Sequence, residues 1–277
     1  MTLSARNTFF KGGIVFSALS LGFVALSGYF AYPAFPGATA PAALRSGGIF
    51  QKFITNLAEP SAYVPFWVML GIVAYSLISI VLIYYFFEKT QPPEILFIGL
   101  FVISMTFEFV RIIIPLRGVF VFPGMLIVVS SRLLLFGRYF GLFSLFAAGV
   151  YAAGLDAQRQ QSLLIMLLIS AMLIALNVPI DNQVWDSTFM LWKGYGFMFT
   201  VIETGIMVVT IISFLVAAYT RSSRSYILIA IGILLLFIGR DILINSDTWI
   251  TPIPGLTILA AGTWFVCSRL HLEYLWL

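Results

Sequence analysis

One cysteine, Cys267, and one histidine, His271, are the only thiol and the only imidazole in this 277-residue chain. That excludes an internal disulfide, a cysteine metal cluster, bis-histidine haem ligation and the multi-histidine metal sites of membrane hydrolases. Neither a metal nor a cofactor is expected. Charge is equally scarce: Asp, Glu, Lys and Arg make up 9% of residues, against about 25% in a soluble domain. No glycine-rich phosphate loop, nucleophile elbow, His-Glu-x-x-His or paired Asp-rich motif occurs, and no lysine stands in the last helices to hold retinal. These absences disfavour an enzyme.

What the chain has is hydrophobicity. Some 61% of residues are hydrophobic, and several runs exceed the roughly 20 apolar residues needed to cross a bilayer. The expected fold is all-α: a polytopic transmembrane helix bundle of about eight spans, forming one integral membrane domain over residues 1–277. A net charge of +4 could point to nucleic acid. Here the basic residues are spread over short loops, which the positive-inside rule explains without it.

Arg6 and Lys11 precede an apolar run over residues 12–32. At 21 residues it is longer than a signal-peptide core, and Ala31-Tyr32-Pro33 is a poor cleavage site, so a retained first helix (residues 1–32) is expected. Residues 33–62 read as an outer loop, rich in Ala and Pro at first. Phe50, Phe53, Ile54 and Leu57 then fall at helical spacing and suit a short amphipathic helix at the interface or on the bundle. Residues 63–277 carry seven more spans, predicted at 63–87, 95–116, 123–155, 162–178, 195–219, 226–244 and 254–270. The span from Pro123 exceeds one bilayer thickness, so it is either long and tilted or broken near Gly137.

With the N-terminus inside, inner positions hold Arg6, Lys11, Lys89, Arg159, Arg221, Arg224 and Arg269, while outer ones hold Arg45, Lys52, Arg117 and Lys193. The bias puts both termini in the cytoplasm of a bacterial inner membrane. Trp67, Trp185, Trp192 and Trp249 fall at the outer boundary, and Trp264 and Trp276 toward the inner one. Ile98-Gly99 recurs as Ile231-Gly232, and Phe122-Pro123-Gly124 as Ile253-Pro254-Gly255. These matches suggest a parallel four-plus-four duplication in which Glu108 pairs with Asp241 and Arg138 with Arg269.

The candidate site is a set of charges that lipid should forbid. A charge at the centre of a span costs about 2.5–3.5 kcal/mol on insertion scales, so such residues normally face a protein interior and a partner. At 1.5 Å per residue, Glu108 lies about 10 Å below the outer end of its span, Arg132 about 13 Å and Glu203 about 12 Å. Arg240 and Asp241 lie about 5–8 Å down, and Arg111, three residues from Glu108, shares its face. Glu108, Arg111, Arg132, Glu203, Arg240 and Asp241 therefore form the expected cluster, ligand-binding or purely structural. Asp181, Asp186 and Lys193 stand at its outer mouth. Arg138 is deeper and is expected to snorkel to inner headgroups. Ala147, Ala148, Ala152, Ala153 and Gly154 read as a close-packing surface, His271 as an interfacial residue and Cys267 as inert packing.

Several functions compete. Residues 63–277 alone resemble bacterial seven-span sensor modules in arrangement, which implies an outward-facing polar pocket for a small or lipidic ligand and a membrane or cytoplasmic partner for output. A small secondary transporter fits the duplication, although no helix pair is visibly broken at the midplane. A subunit of a larger membrane complex is a third reading. The acids Glu108 and Asp241 on the third and seventh spans resemble the eight-span lysoplasmalogenase pattern, in which each half supplies an acidic residue, and imply lipid hydrolysis. The chain departs from that pattern in its Glu and in the flanking arginines, which would neutralise an acid meant for proton transfer.

Overall fold

A computed structural model describes residues 3–31, 57, 59–61, 63–88 and 92–275. The amphipathic segment around residues 50–57 lies outside them apart from Leu57, as does Trp276. Among the described residues, eight helices are long and apolar enough to cross a membrane. They are α1 (Leu3–Ala31), α2 (Tyr63–Phe87), α3 (Pro93–Leu116), α4 (Gly124–Ala152), α5 (Gln160–Asn177), α6 (Gly196–Thr220), α7 (Arg224–Ile244) and α8 (Pro252–Leu275). The chain is an all-α polytopic membrane-helix bundle.

Local chemistry sets several ends. Pro93 occupies the first turn of α3, where its missing N–H costs nothing. Ser223 caps α7, its Oγ accepting from the Ser225 amide. The fourth span is long rather than broken: α4 continues as one helix through Gly137, where a side chain would strike Phe107 of α3. α1 begins nine residues ahead of its apolar run because Arg6 has a local partner, donating from Nη2 to the Phe87 carbonyl at 2.6 Å.

Six helices form a closed ring in the order α2, α3, α4, α6, α7, α8, with α1 against α2 and α3 outside it and α5 against α4. Small residues let backbones meet. A Cβ on Gly239 would stand 2.6 Å from the Leu259 amide nitrogen, and one on Gly262 would stand 3.0 Å from the Gly232 carbonyl, so α7 and α8 touch backbone to backbone. The small-residue surface of α4 takes α6, with Gly149 against the Thr210 carbonyl. Hydroxyls join other pairs: Ser17, Ser76 and Thr106 link α1, α2 and α3, and Tyr75 meets Thr263 across α2 and α8. Facing outward are bare apolar side chains such as Leu19, Ile78, Met172, Val208 and Ile212, as a lipid-facing surface requires.

Between α5 and α6 the chain forms an antiparallel hairpin, β1 (Ile180–Trp185) with β2 (Leu191–Lys193), in the stretch left between the spans expected at 162–178 and 195–219. Leu191 is buried against Ile114 and Ile127, and Ile180 and Phe189 join that cluster, so the hairpin folds back over the ends of α3 and α4. This end of the ring is the hairpin end. The opposite end carries the start of α1 and the end of α8, where Arg6 meets Phe87 and Tyr274 meets Glu94. The positions that a duplication would pair differ in surroundings: Glu108 is buried and Asp241 is exposed.

Candidate functional site

α3 changes its winding at the residues that matter. Thr106–Ile112 is a seven-residue 3-10 stretch inside an otherwise α-helical span, longer than the three or four residues at which such runs usually stop. Side chains at i and i+3 eclipse in this geometry, which stacks Arg111 directly over Glu108. At about 2.0 Å per residue rather than 1.5 Å, the stretch also lengthens the span by about 3 Å and carries Glu108 deeper.

Depth brings Glu108 to Arg138. The Arg138 Nε donates to Glu108 Oε1 at 2.6 Å and its Nη2 to Oε2 at 2.9 Å, a bidentate fork. Arg111 Nη1 donates to the same Oε2 at 3.1 Å. All three side chains are buried, with Glu108 and Arg111 each 2% exposed and Arg138 7%. Arg138 therefore does not snorkel: a carboxylate within reach holds it inside the bundle. Beside this trio, Arg240, 4% exposed, points Nη1 toward Glu203 Oε2 at 3.9 Å, an ion pair too long for a hydrogen bond.

The hairpin tip roofs these charges. Asp186 Oδ1 accepts from the Thr188 amide, the Thr188 hydroxyl and the Met190 amide at 3.0, 2.8 and 2.9 Å, which fixes the tip. The tip's Thr188 carbonyl then accepts from Arg111 Nε at 2.8 Å and from Arg111 Nη2. Met190 presents its sulfur to Arg138 Nη1. The expected open pocket is therefore covered, because the buried guanidinium of Arg111 needs an acceptor and the hairpin carbonyl supplies one. Of the expected mouth residues, Asp186 is folded into the tip, Asp181 is exposed on β1, and Lys193 is half-buried on β2. Burial, followed by the field of Arg138, holds the Lys193 ammonium below the ordinary lysine range, with Glu203 opposing.

Two expected members stand apart. Arg132 turns away and donates to the Leu176 and Ala175 carbonyls, satisfying the free C-terminal end of α5. Asp241 is exposed, its Oδ1 taking the Asn245 amide one turn on. Glu108 has both oxygens committed to arginines while Asp241 is exposed, so the two acids stand in different surroundings. His271 packs against the Phe86 and Phe87 rings near an apolar groove of about 960 Å³ between α2 and α8.

Sequence reasoning missed a second network at the opposite end. Glu94, fully buried in the first turn of α3, accepts from the Tyr274 hydroxyl at 2.9 and 3.2 Å, with Arg221 Nη2 at 3.7 Å. Arg221 Nη1 donates to the Tyr226 hydroxyl at 2.5 Å, and its guanidinium lies over the Tyr226 ring. Burial lowers the Arg221 pKa, and its bond to Tyr274 and the neighbouring Tyr226 and Glu94 outweigh that to hold it above the usual arginine range. Glu94 and Arg221 each sit at a helix end beside polar residues, where a charge is ordinarily solvated. No signal in the sequence distinguished them.

Among the described residues, no group of three or more His, Cys, Asp and Glu could hold a metal ion. Compared with models of protein families and with curated proteins, the chain matches none.

Proposed function

We propose that this membrane-helix bundle binds a small or lipidic ligand at the roofed charge cluster and acts as a receptor-like sensing module on a partner protein. The observation that carries the reading is the Arg111 latch. One buried guanidinium holds both the Glu108 carboxylate of the cluster and the Thr188 carbonyl of the cover. A ligand that draws on those charges loosens or tightens the cover directly.

The same helices reach the other end. α3 carries Glu94 as well as Glu108, and the α6–α7 pair carries Arg221 and Tyr226 as well as Glu203 and Arg240. A shift of α3 or α7 at the hairpin end therefore bears on the second network. On the Lys and Arg distribution, that second end faces the cytoplasm of a bacterial inner membrane, where a membrane or cytoplasmic partner would take the output.

Hydrogen exchange on the purified protein in lipid nanodiscs tests the reading, comparing wild type with Arg111→Gln. Unlatching is expected to raise exchange in hairpin residues 186–193 and also in residues 219–226 at the other end. A hairpin that loosens while residues 219–226 stay unchanged defeats the sensing reading.

A further inference from the structure

The charge cluster is short of acceptors. Arg240 Nη2 is buried without a hydrogen-bond partner in a residue only 4% exposed. Arg138 Nη1 meets only a thioether, a weak acceptor, while the buried Tyr139 hydroxyl makes no well-formed hydrogen bond but lies against the Glu203 carboxylate. Buried donors of this kind are normally satisfied, because leaving one bare forfeits its hydration without return. The deficit is one of acceptors and not of charge, since the four cations Arg111, Arg138, Arg240 and Lys193 lie in the fields of four carboxylates, Glu108, Glu203, Asp186 and Asp241.

Resting on the ligand-site reading above, we infer that the ligand is an oxyanion, a carboxylate or phosphodiester, seated at the Arg240 and Arg138 guanidiniums with Lys193 beside them. Its two oxygens take the spare donors of α7 and α4, Arg240 Nη2 and Arg138 Nη1, together. The neighbouring Glu203 side chain is 27% exposed, so space adjoins its loose pair with Arg240. A bound anion also relieves Lys193, which sits against Arg138 and Arg240. Two sources share this chemistry: a free carboxylate from solution, or the phosphodiester of an anionic lipid.

Thermal unfolding of the purified full chain, followed by intrinsic fluorescence, separates them. In phosphatidylcholine nanodiscs the protein is titrated with sodium acetate, sodium benzoate or sodium chloride. In a parallel arm, phosphatidylglycerol replaces part of the lipid. A saturable rise in the midpoint with a carboxylate assigns a soluble ligand, and a rise with phosphatidylglycerol alone assigns a lipid. In either arm Arg240→Gln is expected to weaken the effect about tenfold or more, with Lys193→Met as the second variant should Arg240→Gln not fold. Arg132→Gln, the same charge change outside the cluster, should leave it intact.

No rise in any arm overturns the inference, as does chloride matching the carboxylates or Arg132→Gln losing as much as Arg240→Gln. The two readings fail separately. Oxyanion binding without any change in hairpin exchange keeps the ligand class and defeats the sensing role. Hairpin and far-end exchange that respond to Arg111→Gln in a protein blind to oxyanions do the reverse.

Discussion

Replacing Glu108 by Gln tests the centre of the structure most directly. The substitution keeps the shape and removes the one negative charge held by two buried arginines. Glu108 accepts three charge-assisted bonds, at 2.6, 2.9 and 3.1 Å. An amide can accept at its oxygen but turns donors toward the other guanidinium. Arg111 and Arg138 are then left in the interior without a counter-charge. Removing one partner of a buried pair costs about 3–5 kcal/mol. At about 2–4 °C per kcal/mol for a chain of this order of size, the unfolding midpoint should fall by about 6–20 °C. The assay is a fluorescence melt in detergent, read against Asp241→Asn. Asp241 is an acid at similar predicted depth, but it is exposed and bonded only to Asn245 of its own helix, so its loss should fall within about 0.5 kcal/mol. Adding Arg138→Gln to Glu108→Gln should cost less than the two single effects together, since the second change removes a charge that the first left stranded. A Glu108→Gln midpoint no lower than that of Asp241→Asn would refute the buried trio.

Two further outcomes follow from other parts of the structure. Gly239→Ala puts a Cβ 2.6 Å from the Leu259 amide nitrogen, where backbone must move, and should destabilise by about 1–3 kcal/mol in the same melt. Gly205→Ala, with open space around it, should be neutral or stabilising by up to about 1 kcal/mol. Lys193 supplies a pH signature: burial lowers its folded pKa, so below that pKa its charge costs stability. The cost is relieved as pH rises toward the unfolded value, because the unfolded chain then binds the extra proton. The midpoint should therefore climb across the alkaline window below the ordinary lysine pKa, and Lys193→Met should flatten that climb. An equal slope in the two proteins would count against the burial of this ammonium.

The number of crossings was legible in the sequence, because spanning is a one-dimensional property: a run of apolar residues long enough to replace water along the whole path. Depth was legible for the same reason, since helical rise converts position into height. That placed Glu108, Arg111, Glu203 and Arg240 at one end before any packing was known. What rise cannot give is azimuth. Arg132 and Arg138 stand about 120° apart around α4 at 3.6 residues per turn, and Arg240 and Asp241 about 100° apart around α7. Each of these helices is apolar on nearly every side, so no polar face in the sequence said which member of a pair turns inward. Neighbours chose: α3 took Arg138, the end of α5 took Arg132, and Asp241 was left outside.

Composition and periodicity thus determined that the chain is a membrane-helix bundle of eight spans with charges at matched height, because hydrophobic length and helical rise act along the chain alone. The ring order, the tightened winding that stacks Arg111 on Glu108, the hairpin drawn over them and the Glu94–Tyr274 network were decided only by tertiary structure. Each depends on residues far apart in sequence meeting in a medium where a bare charge or a free carbonyl has no water to fall back on.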